Sequence, residues 1–421
     1  MITYETFRLM NGLTLLVQEQ PSTSLVAINT LYNVGARDEE LGRTGFAHLF
    51  EHLMFGGTKA VPDYDRVVSE MGGESNAATS NDFTHYHLTV PCGQLENALR
   101  LEADRMRMLD FSQHSLEVQQ SVVTEEYHYR YLNQPYGDLW LLLRPLCYKV
   151  HPYRWCTIGS DIAHVQQATL KDVERFFYTH YRPSNAIMAV VGNVRIDEVV
   201  RLVERYFGDI PAGEVPIRNL PDEPLQREAR RLHVRRQVPA SALYIAYPMC
   251  GRCDADFAAT DLISDVLSNG RSSRLYNELV KNCRLFTELD AYVTGESDPG
   301  LFVVSGKMSP NVSFAEAQQA IEKQLQRMAE ERLTEQELEK VVNKFEATFG
   351  YSQLKAADCA MSLCYYQWLG HPEWVATEPE LYRRVTPSDL QRVAQEIFTP
   401  QHQSVLFYEA ASDSSAPAIE K

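Results

Sequence analysis

No stretch of the sequence is apolar for long enough to serve as a membrane span, which needs about 18 consecutive apolar residues. The opening residues, Met1 to Glu5, have neither a basic n-region nor an apolar h-region, so no signal peptide is visible. We therefore expect a cytoplasmic protein. A periplasmic location is the alternative if a leader precedes the given sequence.

The chain also lacks an excess of positive charge. Lys and Arg number 40 against 56 Asp and Glu, which gives a formal net charge of −16. Binding to phosphate backbones requires basic patches, so this balance argues against a nucleic-acid partner. Neutral or cationic peptides suit an acidic protein better.

Cysteine is too sparse and too scattered for a disulfide framework, with 8 cysteines in 421 residues. Cys250 and Cys253 have the Cys-x-x-Cys spacing of half a zinc or redox site, but no second pair follows at ligand spacing. We interpret the two as reduced thiols in a loop between a strand and a helix.

One short stretch, Thr44 to Phe55, has the spacing of a metal site. Residues i, i+3 and i+4 share a helix face, so His48, Glu51 and His52 point the same way. Two imidazoles one turn apart can reach a single tetrahedral Zn²⁺. The carboxylate between them is placed to act as a general base in amide hydrolysis. The alternative is a core helix with two hydrogen-bonded histidines.

A catalytic zinc usually has three protein ligands, so a third must come from elsewhere. The best candidates are Glu125 and Glu126, in the helical pattern from Ser115 to Arg130. Neighbouring helical residues point about 100° apart, so only one of the two can face the metal.

Three segments together resemble the pitrilysin/insulinase family of zinc peptidases, whose motif His-x-x-Glu-His is the inverzincin signature. They are Gly45 to His52, the later Val-Val-x-Glu-Glu that ends at Glu126, and Ala189 to Val194. The resemblance covers essentially the whole chain and is closest to the short subunits related to mitochondrial processing peptidase.

The resemblance implies roles for individual residues. The family's third ligand falls on Glu126, which is 126 − 52 = 74 positions beyond His52. Many members carry another glutamate two turns earlier, where this chain has Gln119. An amide there keeps a hydrogen-bonding group and adds no negative charge, so support of the ligands is expected to differ.

The family resemblance also implies an α+β fold of two homologous domains, each a mainly antiparallel sheet flanked by helices. Such a chain forms half of a clamshell chamber. We place a zinc-binding catalytic domain at residues 1–212, a Pro-rich linker at 213–225 and a homologous domain without metal at 226–410. The polar tail, residues 411–421, is expected to be disordered.

The segment from Gly72 to Tyr86 resembles the family's substrate-binding edge strand. An edge strand offers unpaired backbone groups to an extended peptide, and we assign Asn76 and Ala77 to this contact. The alternative is a turn that Asn76 merely caps. His85 and His87 lie on one side of the next strand and are not expected to bind the metal.

Together these features predict a zinc-dependent endopeptidase that cleaves unfolded peptides or short polypeptides, with one Zn²⁺ per chain. Zinc and Glu51 would activate the attacking water. A non-catalytic assembly subunit and a plain peptide-binding module are the alternatives from other functional classes.

The second half of the sequence lacks two residues that the resemblance leads us to expect, and their absence predicts a partner chain. Self-sufficient members of the family carry an arginine and, seven positions later, a tyrosine that hold the substrate carbonyl. Aligned on Gly270 to Leu279, those positions are Val280 and Thr287 here, and the nearby Arg284 and Tyr292 are spaced by eight. We expect a heterodimer with a homologous chain that supplies both groups. A homodimer with another substrate clamp is the alternative.

Overall fold

The computed structural model describes residues 3–411. The strands are β1 (Glu5–Arg8), β2 (Thr14–Glu19), β3 (Leu25–Tyr32), β4 (Glu74–Thr79), β5 (Thr84–Pro91), β6 (Ala186–Gly192), β7 (Arg230–Arg236), β8 (Ala242–Pro248), β9 (Phe286–Val293), β10 (Leu301–Met308) and β11 (Ser404–Ala410). The helices are α1 (Phe46–Leu53), α2 (Tyr64–Glu70), α3 (Leu95–Arg107), α4 (Gln113–Tyr127), α5 (Leu139–Cys147), α6 (Ile162–Gln166), α7 (Leu170–His180), α8 (Ile196–Phe207), α9 (Phe257–Ser268), α10 (Phe314–Glu330), α11 (Glu335–Ser352), α12 (Ala356–Trp368), α13 (Trp374–Arg384) and α14 (Pro387–Ile397). In residues 3–411 no helix has the length and apolarity to cross a membrane.

The described residues form two compact units, each assembled from three stretches of sequence. Unit 1 contains residues 3–129, 155–221 and 349–378, and unit 2 contains 130–154, 222–348 and 379–411. The predicted linker, 213–225, includes the change from unit 1 to unit 2 after Pro221. Of the predicted tail, only Ala411 is described, and residues 412–421 lie outside the described part. The domain boundaries stay a prediction.

Unit 1 is built on a six-stranded sheet in the order β1-β2-β6-β3-β5-β4. Only β2 and β6 run parallel, and the remaining neighbours are antiparallel. Strand β3 is central, and seven of its eight residues are buried. Both faces of β3 are therefore covered, and most of its residues are apolar on both sides, with Asn29 and Thr30 the buried polar exceptions.

Helix α12 covers one face of the unit 1 sheet although it lies more than 160 residues beyond β6 in sequence. The contact joins Leu16, Ala27, Leu31, Ala189 and Val191 of the sheet to Cys359, Ala360 and Leu363 of α12. On the opposite face, Phe50 of α1 stacks on Tyr181 with ring centroids 5.1 Å apart, and Tyr181 lies 4.6 Å from Tyr32 of β3. These aromatic contacts pack α1 against the sheet.

Unit 2 has a five-stranded sheet in the order β7-β11-β8-β10-β9, in which only β7 and β11 are parallel. Helices α9, α10 and α14 contribute to the core on one face. Helix α5, from the first half of the sequence, covers the other face through Leu143 and Cys147. The predicted α+β class, with two mainly antiparallel sheets flanked by helices, is confirmed.

Candidate metal centre

Helix α1 begins in a backbone turn that only glycine adopts easily. Gly45 has φ +88°, and a Cβ at this position would lie 2.7 Å from the backbone oxygen of Ile158. The apolar residues of α1 are buried, namely Phe46, Ala47, Leu49, Phe50 and Leu53. His48, Glu51 and His52 consequently share the remaining face, as their spacing predicts.

The buried carboxylate of Glu39 caps this helix in place of a side chain at Gly45. Its Oε2 accepts a hydrogen bond from the Gly45 amide and its Oε1 accepts one from the Ala47 amide, both at 2.9 Å. Burial raises the pKa of Glu39 to about 8, and the two backbone hydrogen bonds oppose that rise. Glu39 therefore satisfies amides that the first turn of a helix otherwise leaves without partners.

Helix α4 supplies the third group. Its first turn is capped by Ser112, whose Oγ accepts a hydrogen bond from the Ser115 amide at 3.1 Å. Glu126 Oε2 lies 3.2 Å from His52 Nε2 and 3.7 Å from His48 Nε2. Glu125 is exposed instead. The structure thus places Glu126, not Glu125, with the two histidines.

The three side chains fit a zinc ion in both chemistry and spacing. Their ligand atoms all lie within 4.8 Å of one another, and the side chains are only 12 to 22% exposed. Zn–N and Zn–O bonds of about 2.0–2.2 Å in tetrahedral geometry place two ligand atoms roughly 3.3–3.5 Å apart. The separations of 3.2 and 3.7 Å bracket that value. Among residues 3–411 this is the one such cluster, and Cys250 and Cys253 form no second one.

Glu51 lies beside these groups without joining them. One of its oxygens, Oε2, accepts a hydrogen bond of 2.6 Å from the hydroxyl of Thr79, at the end of β4. The side chain is half-buried. A carboxylate so placed can accept a proton from a water molecule that attacks a bound carbonyl.

Asn76 and Ala77 lie within β4, the outermost strand of the unit 1 sheet, and not in a turn. Among the described residues β4 pairs with β5 on one side only, so no strand is paired with its other edge. The Ala77 amide donates a 2.9 Å hydrogen bond to the Asn76 side-chain oxygen. The contact of Asn76 and Ala77 with a peptide stays a prediction.

The remaining sequence candidates stand apart from the cluster. Gln119 is half-buried on α4, two turns before Glu126. His85 Nδ1 lies 3.0 Å from the Asn29 side-chain oxygen, and burial lowers the pKa of His85 to about 4. In unit 2, Val280 packs against the core and Thr287 donates a hydrogen bond to the Lys307 carbonyl.

Two contacts of the site have no signal in the motif. Thr79 lies 28 positions from Glu51, and their hydrogen bond depends on how β4 packs against α1. Glu39 precedes Gly45 by six positions, too far for a local helix cap. An acidic residue shortly before a helix that starts with glycine is the one local hint of its role.

Known proteins and family models are similar to this chain over most of its length. Residues 14–134 match the family model described as Insulinase (Peptidase family M16), and residues 167–345 match the Peptidase M16 inactive domain. A protein of Helicobacter pylori, named zinc protease PqqE, is 30% identical over 410 residues, which cover 96% of this chain and 92% of that protein.

Solved structures have the same fold. The crystal structure of a protease from Helicobacter pylori superposes with a TM-score of 0.91 at 29% identity and covers 97% of this chain and 100% of that chain. The periplasmic protease PqqL of Escherichia coli has a TM-score of 0.79 at 18% identity, with 98% of this chain matched to 49% of that chain. By identity, coverage and family match, the chain belongs to the insulinase family of peptidases, family M16.

Proposed function

We propose that this protein is a zinc-dependent endopeptidase that hydrolyses unfolded peptides or short polypeptides. The cluster of His48, His52 and Glu126 beside the carboxylate of Glu51 carries the proposal. The relative from Helicobacter pylori is named a zinc protease, which supports the same chemistry.

Different residues of the chain have different roles in the proposed reaction. His48, His52 and Glu126 would hold one Zn²⁺, which when bound supplies Lewis-acid polarisation of the scissile carbonyl. Glu51 Oε1 takes a proton from the attacking water and later delivers it to the leaving amine. Its other oxygen, Oε2, accepts the hydrogen bond from Thr79.

The open edge of β4 accounts for a peptide substrate of little sequence preference. An extended peptide that pairs with Asn76 and Ala77 adds a strand to the unit 1 sheet, mainly through backbone hydrogen bonds. A folded protein cannot offer such a strand without unfolding locally. Unstructured peptides are therefore the substrate class we propose.

Removing the metal tests this function. A chelator is expected to lower turnover of an unstructured fluorogenic peptide by about 1,000-fold or more, because Lewis-acid stabilisation is worth several kcal/mol. Zinc added back should restore it. The assay is run on the purified chain, alone and with candidate partners, beside a measurement of zinc content.

The outcomes separate the classes of function. A chain that purifies without zinc and does not take it up would be an assembly subunit. A chain that binds zinc and peptide, yet never turns the peptide over under any pairing, would be a peptide-binding module. Turnover that a chelator leaves unchanged would contradict zinc catalysis.

We also propose that the active form is a heterodimer. The family's Arg and Tyr positions are Val280 and Thr287 here, and neither side chain can act as a cationic or phenolic clamp on a carbonyl. Val280 packs against the core of unit 2, and Arg284 has φ +55° in the irregular stretch just before β9. A homologous chain without the zinc motif would bring both groups.

The Escherichia coli structure offers a comparison for this proposal. This chain matches 49% of that polypeptide, and the rest of it is not covered by the match. In the proposed heterodimer, the homologous partner takes the place of that uncovered part.

Mixing the chain with its homologous partner is expected to raise kcat at least about 100-fold over the chain alone, since one clamp of this kind is worth about 10²–10³ in rate. A partner variant with its Arg replaced by Ala serves as the control and should bind without activating. Full activity of the isolated chain as a monomer would contradict the heterodimer, and full activity as a self-associated pair would favour the homodimer.

A further inference from the structure

The hydrogen bond from Thr79 Oγ1 to Glu51 Oε2 joins two parts of unit 1 that have separate tasks in the proposed function. Thr79 is the last residue of β4, and Glu51 lies in the middle of α1. At 2.6 Å between Thr79 Oγ1 and Glu51 Oε2, the bond has the ordinary length of a hydroxyl–carboxyl hydrogen bond.

The backbone after Thr79 is held in one conformation. The Ser80 amide donates to the Phe83 carbonyl at 2.9 Å, and Ser80 Oγ accepts hydrogen bonds from the amides of Asp82 and Phe83. The amide of Ala36 donates to the Ser80 carbonyl at 3.1 Å. This turn fixes the direction in which the Thr79 side chain leaves the strand.

The side chain of Thr79 is itself restrained. Branching at Cβ limits the rotamers of threonine, so its hydroxyl occupies few positions relative to the backbone. Along β4, Ser75, Ala77 and Thr79 are half-buried while Glu74, Asn76 and Ala78 are exposed. Because side chains alternate along a strand, Thr79 is on the covered face of β4.

Glu51 has no comparable restraint of its own. Its side chain is long and half-buried, and an unheld glutamate samples several rotamers. With one oxygen fixed by Thr79, the second oxygen is confined to a small arc. Proton transfer is sensitive to such placement, because a misplacement of about 1 Å can cost roughly 100-fold in rate.

Resting on the proposed peptidase function, we propose that Thr79 is a positioning residue that holds Glu51 Oε2, so that Oε1 remains available to the attacking water. Because Thr79 ends the strand with which the peptide would pair, the same residue ties the base to the docked substrate. If β4 shifts when a peptide binds, the Thr79 hydroxyl that donates to Glu51 shifts with it. The Thr79 hydroxyl is hydrogen-bonded to Glu51 and not to the metal-binding side chains, so we expect its removal to leave zinc binding unchanged.

The test compares Thr79→Val, which keeps the shape and removes the donor, with Thr79→Ser, which keeps the donor. We expect Thr79→Val to lower kcat about 10- to 100-fold while KM changes less than about threefold, and Thr79→Ser to stay within about fivefold of wild type. Zinc content should equal that of wild type in both. The assay uses the active form of the enzyme, with its partner where one is required.

The matched control is Thr89→Val on the neighbouring strand β5, where the threonine is also half-buried. This variant should retain wild-type kcat. A second readout needs no turnover: the affinity of an unstructured peptide for Glu51→Gln and for Glu51→Gln/Thr79→Val should agree within about threefold. A lower affinity of the double variant would make Thr79 a substrate-binding or structural residue and overturn the proposal.

Failure of this inference differs from failure of the proposed function. Wild-type kcat in Thr79→Val, together with loss of activity in a chelator, would overturn the role of Thr79 and leave the peptidase intact. Equal losses in Thr79→Val and Thr79→Ser would also overturn it, because the serine keeps the donor. A wild-type enzyme without turnover would overturn both.

Discussion

The Glu51→Gln variant is expected to bind zinc as wild type does and to lose turnover of an unstructured peptide by about 10²–10⁴-fold, the usual contribution of a general base. The metal-binding groups, His48, His52 and Glu126, are untouched by the change. Glutamine has nearly the same shape and can still accept the hydrogen bond from Thr79, but it cannot take up a proton. Steady-state kinetics and zinc analysis on the same preparation measure both effects.

A matched substitution controls for the loss of one negative charge. Glu174 is exposed on α7 in the same unit, and Glu174→Gln should leave kcat and zinc content unchanged. Wild-type turnover in Glu51→Gln would show that another group activates the water. Loss of zinc from this variant would instead make Glu51 part of the metal site, and the division of roles proposed above would be wrong.

The parts of the site that sequence reasoning reached are those governed by local geometry. His48, Glu51 and His52 lie within two helical turns, so the 3.6-residue period alone puts them on one face. The other faces of α1 carry Phe46, Leu49, Phe50 and Leu53, which are buried. The helix period left Glu125 and Glu126 as alternatives, and it was the family resemblance that favoured Glu126.

The parts that were missed depend on contacts distant in sequence. Alternation of apolar residues can indicate a single strand, but nothing in the local pattern shows that α12 covers one face of the sheet that contains β3 and β6. In the same way, the apolar run at α5 indicates a core segment without showing that it covers the sheet of unit 2. The contacts of Glu39 with α1 and of Thr79 with Glu51 depend on how separate elements pack, so a sequence motif does not predict them.

Two segments, residues 130–154 and 349–378, belong to the unit that is built mainly from the other half of the chain. They show why the boundaries of a unit are harder to predict than its fold class. Each sheet has central strands apolar on both faces, so each needs a cover on both sides. Sequence alone leaves open which helix provides the second cover.

The affinity for zinc should distinguish the roles of Glu125 and Glu126, the two neighbouring carboxylates of α4. Glu126→Gln is expected to weaken zinc binding by more than about 100-fold, because changes to groups that merely support the ligands already cost about 10- to 100-fold. The amide oxygen that replaces the carboxylate is neutral and a poorer ligand for Zn²⁺. Competition with a chromogenic chelator on the purified variants gives the affinity directly.

Glu125→Gln is the control, since it removes the same charge one position away. Glu125 is exposed, whereas Glu126 Oε2 lies 3.2 Å from His52 Nε2, so a purely electrostatic effect of α4 would weaken both variants by similar factors. Direct ligation weakens only Glu126→Gln. The reverse order would move the ligand to Glu125 and require α4 to be rotated by about 100° from its position here. Equal zinc affinity in wild type and both variants would remove α4 from the metal site altogether, and with it the three-residue centre on which the catalytic proposal depends.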